Sequence, residues 1–536
     1  MSSNILDIPK RKTANGMKVE TRPMYIEEWL DELPYIDFKK TSALLAEATG
    51  LTNEQDIKPT TRMELVELYD QPYQYYIDSQ IKAGAQHTLQ SIEAAQEQIR
   101  VLKKIATNLA HACRLSADDT LKKKTLWKQT KPPLANLLFS MNYLSHALIF
   151  SYLEYSPAPK GVWKEINFIY DFAESLQQAN TTVAIPDSFT NISLKTISGT
   201  YKRIVMSSLA DPHHLPYGAI WEIYEQLNHW VERVQVSPFS QMQDDFNLFI
   251  VNLGSDNNPI PYSKFNLKKV GDKHRIINAR NCYEKIQDHL RVLESGRRPD
   301  KSIKISPYFA KILLEHLSIF WGRPPKRSSP RKQRSGKLKL ACGINEVYFF
   351  INNEEEFTPP IPPESEDEID SLDTEQYAPQ SNHTYKTDEW ELIDQSARGF
   401  AVIRNLKPEH SVKVGDLVII DTKKTEKKWA IGTVRWLMIM DGQLYRIGAQ
   451  IISTHTQAAA VRACSGNSQD MRFRRALIIG RGTGNGSSII TSKGMYIKSR
   501  EIELNINEKN IKTKIGDLLE STTGFEQFSI DKKLTV

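Results

Sequence analysis

Near Arg323 the periodicity of this 536-residue chain changes from that of helices to that of strands, and the fold must accommodate both. Upstream, from about Tyr25 to Trp321, the pattern is mainly helical. Residues 61–69 (TRMELVELY) and 80–109 (QIKAGAQHTLQSIEAAQEQIRVLKKIATNL) repeat apolar side chains about every 3.6 residues with few breakers. Further helices are expected over 163–180, 218–234, 276–295 and 307–320, with breaks such as Pro132-Pro133 between them. Phe246 to Leu253 (FNLFIVNL) reads instead as a strand or buried extended segment. At 323–337 comes RPPKRSSPRKQRSGK, a basic loop rich in Pro, Ser and Gly. A short apolar stretch, Leu338 to Ile351, separates it from an acidic, proline-bearing segment over 354–389. That segment has too few large apolar residues to build a core and is expected to be a mobile insertion. Beyond Trp390 come short β-branched and aromatic runs between turn signals: GFAVIRNL, GDLVIID, WAIGTVRWLMIM and LYRIGAQII. Such spacing suggests a small antiparallel barrel or sandwich. A second β-rich stretch follows from about Arg472 (ALIIG, SSIITSKGMYIKS, EIELNIN).

The expected fold class is therefore α+β multidomain, since a chain of this length exceeds a single core. Residues 1–24 read as a disordered lead-in and 25–321 as a mainly α-helical domain. A β-barrel with its acidic insertion spans 322–455, and a β-rich C-terminal module spans 456–536. A net charge of +6 is small for this length and does not identify a nucleic-acid binder. The four cysteines, Cys113, Cys282, Cys342 and Cys464, are far apart and form no CxxC or Cys/His pair, which argues against disulfides and zinc. With no apolar signal core at the N-terminus, the expectation is a cytoplasmic protein in a reducing compartment. Leu134 to Leu153 (LANLLFSMNYLSHALIFSYL) carries no charge over a membrane-spanning length. Its polar residues, Asn136, Ser140, Asn142, Ser145, His146 and Ser151, make a buried helix the better reading, with His146 in a core or groove.

Two short constellations carry the chemistry. The first is Arg327-Ser-Ser-Pro-Arg331, with Lys326, Lys332 and Arg334 alongside. The second is Asp394-Gln-Ser396-Ala-Arg-Gly399, immediately before the run beginning at Phe400. Guanidinium forks bind phosphate oxygens bidentately and stack on aromatic bases. An aspartate accepts hydrogen bonds from a guanine edge, a serine hydroxyl two positions on reaches phosphate, and a glycine lets the backbone approach a ligand.

An RxxxR loop followed by D/NxSxxG at a barrel mouth resembles the signature of the PilZ family of cyclic di-GMP receptors. GDLV (415–418), GTVRW (432–436) and YRIGAQ (445–450) are similar to that family's barrel strands. The layout, a long helical part before the barrel and a β-rich tail, is similar to that of FimW-type receptors linked to type IV pili. The resemblance implies that Arg327 and Arg331 clamp phosphates and stack on guanine, that Asp394 holds a guanine edge, and that Ser396 binds phosphate. From Arg331 to Asp394 is 63 positions, longer than the usual PilZ interval, and the acidic insertion absorbs most of it. Either Arg327/Arg331 or Arg331/Arg334 fits the clamp.

Other features have plainer readings. The arginine loop by itself would be a solvated linker, and Asp394 by itself a turn residue. Gly480 to Gly486 (GRGTGNG) lacks both a following GK[ST] and GxGxxG spacing, so a glycine-rich hairpin is expected. Asp211-Pro-His213-His214 has no second cluster to complete a metal site. No nucleophile, base and orienter set is recognisable, so the chain reads as a receptor and not an enzyme, without metal or cofactor. Its expected ligand is cyclic di-GMP, its output a protein partner engaged through the helical domain, with no nucleic acid and no stable membrane insertion. The alternative is a ligand-free PilZ-fold adaptor acting as an interaction scaffold. The two differ in whether Arg327, Arg331, Asp394 and Ser396 converge on one surface.

Overall fold

The computed structural model describes residues 19–85, 92–122, 132–189, 192–242, 244, 246–297, 302–323, 330–360, 384–405, 412–421, 429–441, 443–465, 471–480 and 487–531. The expected lead-in through Lys18, most of the acidic insertion (361–383), Arg327 and most of the glycine-rich run (481–486) lie outside these residues. The chain divides into two compact units, Met1–Lys326 and Arg327–Val536.

The first unit runs through α1 (Pro23–Asp31), α2 (Phe38–Asn53), α3 (Pro59–Ala85), α4 (Ile92–Lys122), α5 (Leu134–Leu153), α6 (Val162–Ser175), α7 (Ile197–Leu209) and α8 (Ala219–Leu227). Then come β1 (Gln235–Pro238), β2 (Leu248–Asn252), β3 (Ile260–Pro261) and β4 (His274–Asn278), an antiparallel sheet in the order β1-β4-β2-β3. Helices α9 (Arg280–Glu294) and α10 (Pro307–Phe320) follow. Caps set helix starts: Asp37 Oδ1 accepts from the Lys40 amide (3.0 Å), and Thr196 Oγ1 from that of Gly199 (3.0 Å).

Every residue of α5 from Leu137 to Leu153 is buried. A helix apolar all round belongs in a core when its polar groups find partners there. Ser140 Oγ donates to the Ala110 carbonyl (3.0 Å), and Asn142 Oδ1 accepts from Arg203 Nη2 (2.8 Å). His146 Nδ1 meets Tyr73 Oη at 3.1 Å. No helix among the described residues is long and apolar enough to cross a membrane.

The sequence expectation needs two corrections here. Ile276 to Asn278 open no helix but lie in β4, where Ile276 and Ile277 are buried on opposite faces of the sheet. The helix expected over 218–234 ends at Leu227, because a 3-10 turn at Val231–Arg233 redirects the chain into β1.

The second unit begins with β5 (Lys332–Gln333), β6 (Lys337–Cys342) and α11 (Ile344–Ile351). It continues through β7 (Asp388–Ser396), β8 (Gly399–Asn405), β9 (Leu417–Asp421), β10 (Trp429–Met440) and β11 (Leu444–Ser453). Their order is β5-β7-β6-β9-β10-β11-β8. A further β7–β8 pairing closes β6 to β11 into an antiparallel barrel, with β5 as an extension along β7. A second closed barrel follows, built from β12 (Thr456–Ala463), β13 (Arg474–Ile479), β14 (Ser488–Thr491), β15 (Glu501–Ile506), β16 (Lys509–Ser521) and β17 (Glu526–Ile530). One apolar cluster joins the barrels: Val347 and Phe350 of α11, Leu417 and Ile419 of β9, Leu477 and Ile479 of β13, and Phe525.

Candidate functional site

The basic loop and the motif strand meet because β5 and β6 are one strand broken at Gly336. That residue's φ of +152° lies in a region that favours glycine. Both halves pair with β7, Lys332 opposite Gln395 and Lys337 opposite Glu391. Across the break, the Arg334 amide donates to the Ile393 carbonyl (3.3 Å), and the Leu392 amide donates to the Gly336 carbonyl (2.8 Å). The insertion therefore leaves and re-enters between β6 and β7, and the long interval in sequence closes in space. Arg331 Nη1 donates to Asp394 Oδ2 at 3.1 Å across those 63 positions.

The Asp394 side chain is 15% exposed, and its Oδ1 is buried without a hydrogen-bond partner among the described residues. A buried acceptor left open is costly and suits a ligand donor. Ser396 stands at the end of β7, where its Oγ donates to the Gly399 carbonyl (3.2 Å) and accepts from the Arg398 amide (3.4 Å). It thus pins the tight turn into β8. Gly399 has a reason within the fold: a Cβ there would lie 2.6 Å from the Ala449 carbonyl of β11. The motif spans the β7–β8 hairpin, with Asp394 well inside a strand. Arg334 is exposed beside it.

Register shows what else shares this face. Asp394 of β7 lies opposite Ala401 of β8, Ala401 opposite Gly448 of β11, and Gly448 opposite Trp436 of β10. The parallel rows are Ser396–Gly399–Gln450–Thr433 and Glu391–Ile403–Arg446–Met438. Residues opposite one another in antiparallel strands point to the same side. The Trp436 indole lies across Gly448, where a Cβ would fall 1.9 Å from its Nε1. The Arg446 guanidinium sits over that indole, 5.6 Å from the ring centroid, with Nε buried and unpartnered among the described residues. Trp436 and Arg446 escaped the motif reading. The alternation Arg446, Gly448, Gln450 signals one face, but joining it to Trp436 requires the bulge between Val434 and Trp436. The face thus combines guanidinium groups, an indole plane and an open carboxylate oxygen, the groups that a phosphate-bearing purine ligand pairs with.

Family models span the chain. "Cyclic-di-GMP receptor FimW, N-terminal domain" matches residues 25–241, "Cyclic-di-GMP receptor FimW, middle PilZ domain" matches 248–373 and 361–458, and "FimW C-terminal beta-barrel domain" matches 459–532. The chain belongs to the FimW family. The cyclic-di-GMP receptor FimW of Pseudomonas aeruginosa is 20% identical over 579 aligned positions, which cover 98% of this chain and 92% of that protein. The expected PilZ and FimW resemblance, and the order of helical part, PilZ barrel and β-rich module, are thereby borne out. The FimW middle-domain match begins at residue 248. It therefore takes in β2 to β4, α9 and α10 of the first unit as well as the first barrel.

Proposed function

We propose that this chain is a cyclic di-GMP receptor whose ligand lies on the face of the first barrel that carries Asp394, Ser396 and Trp436. The observation that supports it best is the Arg331–Asp394 contact, which joins the two halves of the motif on one surface. In this reading Arg331 and Arg334 bind phosphates as charge-assisted forks, and Arg327 belongs to the same clamp. The open Oδ1 of Asp394 accepts from a guanine edge, the Ser396 hydroxyl contacts phosphate, and Gly399 keeps the hairpin close to β11. Trp436 and Arg446 add stacking surfaces. The convergence of Arg331, Asp394 and Ser396 favours the receptor over a ligand-free adaptor.

The chain's role is binding, not catalysis, and its output is a protein partner engaged by the helical unit in the cytoplasm, in a process linked to type IV pili. A groove on that unit, lined by Glu27, Asp31, Tyr35, Pro72 and Tyr75, supports a protein contact there. The domain division proposed is a helical domain over 25–321, the PilZ-type barrel over 322–455 and the second barrel over 456–536. Calorimetric titration with cyclic di-GMP tests the ligand. Saturable binding by the wild type is expected, lost in Arg331→Ala and Asp394→Ala and absent with GTP. No heat up to about 100 μM ligand would overturn the reading.

A further inference from the structure

We propose that the C-terminal barrel is part of the ligand site, and that Arg435 is the positioning residue through which it acts. The inference rests on the receptor reading above. Arg435 occupies the bulge of β10: Val434 faces Ala449 and Trp436 faces Gly448, so Arg435 is left without a cross-strand partner. Its guanidinium is shared between the barrels. On one side Nε donates to Gln450 Oε1 at 2.9 Å. On the other Nη1 and Nη2 donate to Glu520 Oε1 and Oε2 at 2.5 and 3.1 Å.

Both ends of this bridge matter to the ligand face. Gln450 is the β11 residue opposite Gly399, and the next amide, Ile451, donates to the Arg398 carbonyl in the motif hairpin (3.0 Å). Arg435 also directly precedes Trp436. Glu520 lies at a bulge in β16 of the second barrel. The second barrel also reaches the bulge indirectly, through the Val414–Asp416 segment of the first barrel. The Val434 amide donates to the Asp416 carbonyl (2.9 Å) and the Gly415 amide to the Val434 carbonyl (2.9 Å). A Cβ on Gly415 would meet Thr522 and Thr523 at 3.1 and 3.2 Å. Thr523 Oγ1 donates to the Val414 carbonyl (3.4 Å).

As a stabilising contact alone, a pair with side chains 37% and 20% exposed contributes little. Its two-pronged geometry is what fixes the fork, and through the fork the orientation of Gln450 and the path of β10 into Trp436. By linkage, a barrel that sets the ligand face is in turn tightened by the ligand.

The test titrates the full chain with cyclic di-GMP in the wild type, Glu520→Gln, Arg435→Gln and the exchanged pair Arg435→Glu/Glu520→Arg. Each single substitution is expected to weaken binding about tenfold without a matching loss of melting temperature, and the exchange to recover most of it. Independently of any variant, bound ligand is expected to slow amide exchange along Lys509–Ser521 in the wild type. Wild-type affinity in both single variants, or unchanged exchange in β16 of the liganded wild type, overturns the inference while leaving the receptor reading intact. No binding by the wild type overturns both.

Discussion

On the proposed ligand face, Gly399 and Gly448 refuse a methyl group for different reasons. At Gly399 the obstacle is a backbone oxygen, Ala449 O at 2.6 Å, which moves only if β8 and β11 part. Overpacking of this kind costs about 1–3 kcal/mol. At Gly448 the obstacle is the Trp436 indole, a side chain that can swing away. Gly399→Ala is therefore expected to lower the melting temperature, whereas Gly448→Ala keeps most of the stability and expels the indole from the face. The expected mark of Gly448→Ala is an affinity for cyclic di-GMP about tenfold weaker, as loss of base–aromatic stacking implies. Calorimetry beside thermal melts separates the two. Equal losses of melting temperature, with ligand affinity intact in Gly448→Ala, would make that glycine purely architectural. Asp394→Ala sorts the same way: its pair with Arg331 is partly exposed and contributes at most about 1 kcal/mol to stability. Its effect is thus expected on binding.

Between helices, the interior of the first unit couples folding to pH. Asp70 of α3 is buried and accepts from Tyr143 Oη of α5 (2.7 Å) and Gln74 Nε2 (3.0 Å). Burial nonetheless pushes its carboxyl up to about 6, against an ordinary 3.8. A group whose pKa is raised by folding favours the folded state while protonated, and that contribution is lost as pH rises from about 4 to about 6. His146, pushed by burial down to about 3, acts in the opposite sense: its contribution is lost as pH falls below the ordinary histidine range. The two slopes overlap, so the Asp70 contribution is read as a difference between proteins. Asp70→Asn keeps an acceptor for Tyr143, and it is expected to match the wild type near pH 4 and exceed it by up to about 3 kcal/mol at pH 7. Denaturant melts at the two pH values measure this, and a pH-independent difference would contradict it. At this scale the sequence is legible where one period governs. The long helices, the buried reading of 134–153 and the strands after Trp390 all follow from spacing. The β5–β6 break was not legible, because a two-residue strand has no period and its pairing with β7 lies beyond the insertion. For the same reason Arg331 and Asp394 were readable as residue types, while the face they share with Trp436 and Arg446 depends on registers and a bulge that no local pattern records.

Across the molecule, apolar burial falls into separate cores, so the proposed ligand face and the proposed partner contact lie in different units. The core of the first unit runs from Ile26 to Trp321, while those of the barrels draw on residues from Ala341 to Ile530. All the site residues within the described chain, Arg331, Arg334, Asp394, Ser396, Gly399, Trp436 and Arg446, belong to the second unit, and so does the Arg435–Glu520 bridge. The basic segment from Arg323 to Arg334 is at once the covalent connection between the units and the source of the arginines proposed to bind phosphate. In the proposed reading, a ligand held by those arginines therefore acts on the connector itself. A ligand alters the helical unit's behaviour only by as much as its affinity differs between two arrangements of the chain. That condition has a direct measure in a fragment of residues 323–536, which retains both barrels and the whole arginine loop. Each barrel has its own closed sheet and they share the α11 cluster, so the fragment is expected to melt cooperatively. If the helical unit and the ligand are coupled, the fragment's affinity for cyclic di-GMP is expected to differ from that of the full chain by about 5-fold or more. A folded fragment that binds with the affinity of the full chain would show instead that occupancy is set by the barrels alone. Because coupling is reciprocal, the ligand would then bias no arrangement of the helical unit, and the proposed partner contact would have to include the liganded barrel itself.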